Sequence, residues 1–336
     1  MKDTVAVVLA AGKSTRMSSG MNKMVHELAG KPLIKYPTDA AREAGVGRII
    51  VVVGHAAEQV TRTLGEGFTY VRQEKQLGTG HALMQAIPEL AGFSGDVLVF
   101  NGDSVFLTAD SFKTLIKHHR AAKAAATILT AMLPDPGSYG RIVRGADGGV
   151  LKIVEKRDAS LVELKINEVN SGTYVFGADT VLPLLSDIDS RNAQKEFYLT
   201  DIIGLCFGKN LKVETLVSED PSVVLGVNTR KELAQAIRIF RERITDELMA
   251  AGVTILDPES TFVDGTVKVG RDTVIYPFSY LERGTTIGER CQIGPHAHLV
   301  GCHVGDDCCV ESAVLNGTKI ASGTKVPPFT TLCGKG

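Results

Sequence analysis

Aliphatic side chains recur every six residues in the last quarter of this chain, and this period restricts the possible folds more than any other feature. The run comprises Val263, Val269, Ile275, Leu281, Ile287, Ile293 and Leu299. With two steps of five, it continues to Val304, Val310 and Leu315. A period of six is typical of a left-handed parallel β-helix, in which each hexapeptide forms one face. We therefore predict about four coils of roughly eighteen residues between Val263 and Leu332.

Small side chains accompany the repeat and account for part of the cysteine content. Four residues after five successive aliphatic positions come Thr273, Ser279, Thr285, Cys291 and Ala297. Cys308 follows Val304 at the same distance, so we predict that these cysteines pack inside the coils. The alternative is a zinc site among His296, His298, Cys302, His303, Cys308 and Cys309. The spacings contain no C-x-x-C pair, and packing is therefore the favoured interpretation.

The first two thirds of the chain alternate between strand-like and helix-like segments. Residues 4–8, 48–53 and 96–100 are short apolar runs suited to buried strands, whereas residues 56–64 and 79–87 have helical spacing. This alternation predicts an α/β fold, a Rossmann-like, mostly parallel sheet in three layers. Ligands of such sheets bind beyond the carboxyl ends of the strands.

The change of period predicts the domain organisation. Residues 1–228 form the α/β domain, residues 229–251 a linking amphipathic helix, and residues 252–336 the short β-helix. Within the first domain, Pro37 interrupts the helix expected from Leu33 to Ala44. That helix should therefore start late or kink.

Composition describes a globular chain with a large core and excludes several partners. Of the 336 residues, 44% are hydrophobic and 22% charged, and the net charge is −1. This balance provides no basic field for nucleic acid. We find no signal peptide and no apolar run long enough for a membrane helix. We therefore expect a cytoplasmic protein with reduced thiols.

The segment LAAGKSTRM, residues 9–17, follows the first predicted strand and carries the first candidate site. A P-loop would need glycine at position 7, which is Val7, and no G-x-G-x-x-G is present. The remaining interpretation is a small-residue seat for a nucleoside, in which Arg16 and the more distant Lys23 bind phosphate. The alternative is a solvated loop with ordinary surface cations.

Two further clusters follow strands at the same predicted edge. Asp103 comes after a buried strand, where a carboxylate could bind Mg²⁺ or serve as a helix cap or turn residue. The segment 73–81, QEKQLGTGH, lies between a strand and a helix. Its Gln73 could read the edge of a pyrimidine, and we assign no general-base role to His81.

Together these segments resemble the sugar-1-phosphate nucleotidyltransferases. The resemblance rests on LAAGxxTRM, QLGTGHA and the Gly-Asp pair after a strand. It is narrowed by SYGRI (138–142), IVEKRDA (153–159), INEVNSGTYVF (166–176), NAQKEFYLTDII (192–203) and GVNTR (226–230). With the hexapeptide repeats that follow, the chain is similar to the bacterial bifunctional N-acetylglucosamine-1-phosphate uridyltransferases.

The resemblance implies substrates, a cofactor and roles for single residues. The substrates are UTP and N-acetylglucosamine 1-phosphate, the cofactor is Mg²⁺, and a homotrimer through the β-helix is possible. The nucleotide-binding residues would be Leu9, Ala10, Ala11, Gly12, Gln73, Gly78, Thr79, Asn101 and Gly102. The sugar-binding residues would be Gly140, Glu155, Asn170 and Asn228. The catalytic cations would be Arg16 and Lys23, and the metal ligands Asp103 and Asn228.

Several positions depart from the family's pattern without removing a proposed ligand. The departures are Ser14 and Lys195 in place of glycine, Met21-Asn22 in place of Leu-Pro, Ser171 in place of threonine, and unusual residues at Asn101 and Ser104-Val105. They leave open glucose 1-phosphate as acceptor and dTTP as donor. A non-catalytic nucleotide-sugar-binding homologue is a further alternative. Without the family, Asn170 and Asn228 could be turn or cap residues, and Glu155 a solvated charge.

The length of the repeat region bears on a second activity. In the family that this chain resembles, the β-helix continues further and carries acetyl transfer from acetyl-coenzyme A. The matching histidine and basic positions have no counterpart in residues 1–336, so we expect no acetyltransferase activity.

Overall fold

The computed structural model describes residues 3–334, which divide into two compact units. The first unit is the chain up to His26 together with Pro32–Thr229. The second is Glu27–Lys31 together with the chain from Arg230 onward. The hydrophobic period of the sequence did not predict that Glu27–Lys31 belongs to the second unit, because a segment of five residues is too short to show a period.

Nine strands of the described residues form the sheet of the first unit: β1 Thr4–Ala10, β4 Arg48–Val53, β5 Thr69–Arg72, β6 Asp96–Asn101, β7 Ala126–Met132, β8 Arg141–Arg144, β9 Val150–Val154, β10 Glu168–Gly177 and β11 Val213–Val217. Their order is β11-β7-β10-β6-β1-β4-β5, and off this path β8 pairs with β10 and β9 pairs with β8. A short hairpin comprises β2 (Glu27–Leu28) and β3 (Lys31–Pro32). Strands β1, β4, β5 and β6 are parallel, and β10 runs antiparallel to β6 and β7. The predicted mostly parallel sheet is therefore confirmed.

Helices cover both faces of this sheet and produce the predicted three layers. Their bounds are α1 Lys35–Glu43, α2 Ala57–Leu64, α3 Thr79–Ala86, α4 Ala109–Ala122, α5 Ala178–Val181 and α6 Asp201–Gly208. The side chains of β1 alternate between two cores, because successive residues of a strand face opposite sides of the sheet. Val7 packs in the core that contains α3 and α6, and Val8 packs in the core that contains α1 and α4.

The local boundaries correct two expectations and agree with a third. Leu9 and Ala10 are the last residues of β1, not part of the loop that follows it, and Asn101 ends β6. The parallel pairing with β4 continues to Ala10, which extends the strand. Helix α1 begins late, at Lys35, and Pro37 lies in its first turn, where a missing N–H costs no intrahelical hydrogen bond.

The main part of the second unit begins with the helix α7, Arg230–Ala250, and continues as a left-handed parallel β-helix with three sheets. The first sheet contains β12 Thr254–Ile255, β15 Val274–Ile275, β18 Gln292–Ile293, β21 Cys309–Val310 and β24 Lys325–Val326. The second contains β13 Phe262–Val263, β16 Tyr280–Glu282, β19 His298–Val300, β22 Val314–Asn316 and β25 Thr331–Cys333. The third contains β14 Lys268–Val269, β17 Thr286–Ile287, β20 His303–Val304 and β23 Lys319–Ile320. The period of six thus corresponds to one strand and one turn.

Aliphatic residues of successive coils stack in register inside the β-helix. Leu281, Leu299 and Leu315 are direct neighbours in the second sheet, and all three are fully buried. The five-residue steps leave this pairing intact, so the deletions fall in the turns. Cys291 and Cys308 are buried in the interior as predicted, and their thiols donate to backbone carbonyls at 3.1 Å. Among residues 3–334, no group of three or more His, Cys, Asp or Glu side chains could hold a metal ion.

None of the helices within residues 3–334 is both long and apolar enough to cross a bilayer.

The stacked core of the β-helix predicts a strong effect of one truncation. Leu299→Ala should destabilise this unit by about 2–5 kcal/mol, since it removes a fully buried side chain and leaves a cavity. Native-state hydrogen exchange should show faster exchange of the amides in β16, β19 and β22. Val314→Ala is the control, because Val314 is 46% exposed in the same sheet and should cost less than about 0.5 kcal/mol. Equal effects of the two variants would contradict the register described above.

Candidate active site

A cleft of about 660 Å³ opens in the first unit at the carboxyl ends of its parallel strands. Strands β1, β4 and β6 end side by side there, at Ala10, Val53 and Asn101. The predicted site residues that line the cleft are Leu9, Ala11, Gly12, Arg16, Lys23, Gln73, Gly78, Thr79, Asn101, Asp103, Gly140, Glu155, Asn170 and Asn228. Segments far apart in sequence therefore meet at one sheet edge.

Two predicted site residues, Ala10 and Gly102, do not line the cleft. The side chain of Ala10 packs in the core on the opposite face of the sheet, because β1 continues through this residue. Gly102 is buried, and a Cβ at this position would lie 3.0 Å from the sulfur of Met24. The roles of Ala10 and Gly102 in nucleotide binding stay predictions.

Two oxygen atoms converge on one cationic group at the floor of the cleft. Lys23 Nζ donates to Asp103 Oδ2 at 2.5 Å and to Asn228 Oδ1 at 2.7 Å, and Arg16 Nη2 donates to the same Asn228 oxygen at 3.0 Å. A carboxylate and a carboxamide oxygen so placed are hard ligands of the kind that Mg²⁺ prefers. Phosphate and water oxygens could complete such a coordination sphere. The donor set thus fits the implied metal.

Asn22, where the resemblance led us to expect a proline, anchors the segment that carries Lys23. Its Oδ1 accepts from the N–H of Met24 at 3.0 Å and caps a short 3₁₀ turn. Its Nδ2 donates to the carbonyl of His55 at 2.7 Å, and its own N–H donates to Gln59 Oε1 at 2.7 Å. The substitution therefore supplies three hydrogen bonds, which a proline, lacking a backbone N–H and a polar side chain, could not make.

Ser14 is held in a backbone conformation that favours glycine. Its φ is +56° and its ψ is +23°, in the left-handed region. The hydroxyl accepts from the N–H of Lys23 at 3.3 Å and donates to the carbonyl of Gly12 at 3.4 Å. Lys195, the other departure from a family glycine, also has a positive φ of 54°. Ser14 and Lys195 thus both have a left-handed backbone conformation, although glycine adopts this conformation most easily.

A second part of the cleft is shaped by a close approach of two segments of the chain. Gly78 has a φ of +116°, and a Cβ there would lie 2.5 Å from the carbonyl oxygen of Phe197. Thr79 Oγ1 accepts from the N–H of Leu199 at 3.0 Å. These contacts bring the start of α3 against the 197–199 segment and position Gln73, which is 2% exposed and lines the cleft.

The proposed sugar pocket contains a half-buried carboxylate and a fixed carboxamide. Burial raises the pKa of Glu155, which accepts from Thr200 Oγ1 at 3.3 Å. Asn170 Nδ2 donates to the hydroxyl of Tyr174 at 2.7 Å, and its Oδ1 accepts from the N–H of Gly172 at 3.0 Å. The Asn170 carboxamide therefore has a single orientation, and Tyr174 is a supporting residue that the sequence analysis did not identify.

Arg141 is another supporting residue that sequence reasoning missed, although it lies within the quoted SYGRI motif. It is 3% exposed, and its guanidinium donates to the carbonyls of Pro136, Gly137 and Tyr139. The loop before Gly140 is thereby tied to one side chain. Only the folded loop shows that this arginine points at its own backbone.

The backbone conformation of Ser14 predicts that two small substitutions at this position differ in their effect on stability. Ser14→Gly should be more stable than Ser14→Ala by about 1 kcal/mol, because only glycine adopts the left-handed region without a steric cost. Thermal unfolding of the two variants measures the difference. A more stable alanine variant would show that this loop does not have a positive φ at residue 14.

Comparison with known proteins gives matches over nearly the whole chain. Residues 5–220 match the family described as nucleotidyl transferase, and residues 266–301 match the bacterial transferase hexapeptide repeats. A protein of Pelotomaculum thermopropionicum called bifunctional protein GlmU is 47% identical over 331 residues, which are 98% of this chain and 72% of that protein. The proteins of the same name from Acetivibrio thermocellus and an Exiguobacterium species are 45% and 44% identical, over 98% and 97% of this chain and 71% and 72% of theirs.

Proposed function

Because this chain belongs to the GlmU family of UDP-N-acetylglucosamine pyrophosphorylases, we propose that it transfers a uridylyl group from UTP to N-acetylglucosamine 1-phosphate. The products would be UDP-N-acetylglucosamine and pyrophosphate, and the cofactor Mg²⁺. The predicted enzyme class, a sugar-phosphate nucleotidyltransferase, follows from the family. The observation that supports the proposal most is the convergence of Asp103 and Asn228 oxygens on Lys23 inside the cleft.

The lining of the cleft suggests where each part of the substrates binds. Ala11 and Gly12 offer a surface without bulky side chains beside the apolar side chain of Leu9, and a nucleoside can lie on this surface. Gln73, Gly78 and Thr79 surround the base, and Asn101 lies between this region and Gly172, whose missing Cβ leaves room for its carboxamide. Gly140, Glu155 and Asn170 offer the sugar a carboxylate, a carboxamide and a close backbone approach.

The chemistry needs charge neutralisation and positioning more than proton transfer. A phosphate oxygen of the sugar 1-phosphate, already anionic at neutral pH, attacks the α-phosphorus of UTP, and pyrophosphate leaves. Lys23 and Arg16 supply positive charge where negative charge accumulates. Mg²⁺ held by Asp103 and Asn228 would neutralise phosphate oxygens when it is bound. The reaction requires no general base from this chain, and we therefore assign none to His81.

A panel of nucleoside triphosphates and sugar 1-phosphates tests the identity of the two substrates. Pyrophosphate release should be fastest with UTP and N-acetylglucosamine 1-phosphate when compared with dTTP and with glucose 1-phosphate. The carboxamide of Asn170, fixed by Tyr174, is the group that we expect to favour the N-acetyl sugar. A clear preference for glucose 1-phosphate or dTTP would overturn the proposed specificity and leave the reaction class in place.

The metal assignment predicts the effect of removing one carboxylate. Asp103→Ala should lower kcat by about 100-fold or more, since it removes a ligand whose charge is preorganised in a buried site. Removing divalent metal with EDTA should abolish turnover of the parent, and added Mg²⁺ should restore it. Asp110→Ala, at an exposed position in the first turn of α4, is the matched control and should leave kcat unchanged. Turnover of Asp103→Ala at the rate of the parent would contradict the assignment.

Three further expectations stay predictions. Sedimentation would test the homotrimer through the β-helix, and fractionation the cytoplasmic location. Thiol release from acetyl-coenzyme A in the presence of glucosamine 1-phosphate would test the expected lack of acetyltransferase activity.

A further inference from the structure

The carboxamide of Gln73 is held on one side by two contacts. Its Nε2 lies 3.1 Å from the carbonyl oxygen of Gly78 and 2.9 Å from Nδ1 of His81. The side chain is 2% exposed, so it has little freedom to turn. Both N–H groups of the amide are therefore engaged within the protein.

The Gly78 carbonyl decides which way the amide points. A carbonyl oxygen only accepts hydrogen bonds, so the atom facing it must be the amide nitrogen and not the amide oxygen. The second N–H then points at His81 Nδ1, which must carry a lone pair. Within residues 3–334, Gln73 Oε1 has no partner, and Gln73 lines the cleft. The amide thus presents an acceptor to whatever occupies the cleft.

The contact between His81 and Gln85 competes with the contact between His81 and Gln73, and it is the weaker of the two. Gln85 Nε2 lies 3.4 Å from His81 Nε2, and it also donates to the His81 carbonyl at 3.1 Å. A neutral imidazole has one acceptor nitrogen, so it cannot accept from Gln73 and Gln85 together. The 2.9 Å contact to Gln73 is within normal hydrogen-bond range and is supported by Gly78, whereas 3.4 Å is long. We therefore assign the proton to Nε2 of His81.

We propose that His81 is a positioning residue that, together with the Gly78 carbonyl, orients Gln73 so that it selects uracil over cytosine. Uracil carries an N–H at N3, which can donate to Gln73 Oε1, whereas N3 of cytosine has a lone pair that would face the same oxygen. His81 does not line the cleft, so it would act through Gln73 and not on the nucleotide itself. The inference rests on the proposed uridylyl transfer and assigns the choice of base to a residue that has no part in the chemistry.

The test is the ratio of kcat/KM for UTP to kcat/KM for CTP. A ratio measured within one variant does not depend on the fraction of folded protein. His81→Phe keeps an aromatic ring near Phe197 and removes the acceptor nitrogen. The ratio should fall by about fivefold or more, the effect expected for one lost hydrogen bond. Gln73→Leu should lower it further, because Gly78 still orients the amide in His81→Phe.

The matched control is Gln85→Leu in the same helix. Gln85 contacts His81 but not Gln73, so the ratio should stay within about twofold of the parent. If His81→Phe turns over too slowly, dissociation constants of UDP and CDP give the same comparison. A ratio unchanged in His81→Phe but lowered in Gln73→Leu would overturn the role of His81. A parent that does not use UTP would instead overturn the proposed function.

A second measurement reads the tautomer directly. In ¹⁵N NMR spectra, Nδ1 of His81 should have the shift of an unprotonated ring nitrogen and Nε2 that of a protonated one. If His81 only filled space, its ring could carry the proton on either nitrogen. A protonated Nδ1 in the neutral ring would contradict the proposed orientation of Gln73.

Discussion

The parallel pairing of β1 with both β4 and β6 is the constraint on which the rest of the site depends. Because β1 lies between β4 and β6, its side chains are buried on both faces, and its carboxyl end presents Leu9 and the small residues after it to the cleft. The ends of the neighbouring strands lie beside it, so the loops after Ala10 and Asn101 reach one cleft, together with the segment after β5 that contains Gln73. The functional groups of the candidate site are thus carried by loops whose positions are set by the carboxyl ends of these strands.

At three loop positions the resemblance led us to expect glycine or proline, and this chain has other residues. Ser14 and Lys195 have a positive φ without a glycine, and Asn22 makes three hydrogen bonds that a proline could not make. Arg141 ties a further loop to itself through three carbonyls. The backbone course is thus maintained by different local interactions, at a conformational cost at Ser14 and Lys195 and with a compensating gain at Asn22.

The two units differ in how much of their structure the hydrophobic period of the sequence predicts. In the β-helix, each residue contacts the same position of the next coil, so a local period of six already defines the neighbours. In the α/β unit, the apolar runs indicated strands and helices and their order. They did not show that β1 extends through Leu9 and Ala10, because strand ends are decided by pairing with β4 and β6 and not by composition.

The sequence by itself determined the two architectures, the edge of the sheet where the site lies, and most of the residues that line it. Those features depend on local period and on the order of segments along the chain, which a single sequence contains. Only the tertiary structure decided that Ala10 faces away, and that Lys23 meets Asn228 across 205 residues. It also decided that Gln73 presents its oxygen and not its nitrogen to the cleft. Such assignments depend on the direction of individual polar atoms, and these directions are set by partners that only the folded chain brings within hydrogen-bond distance.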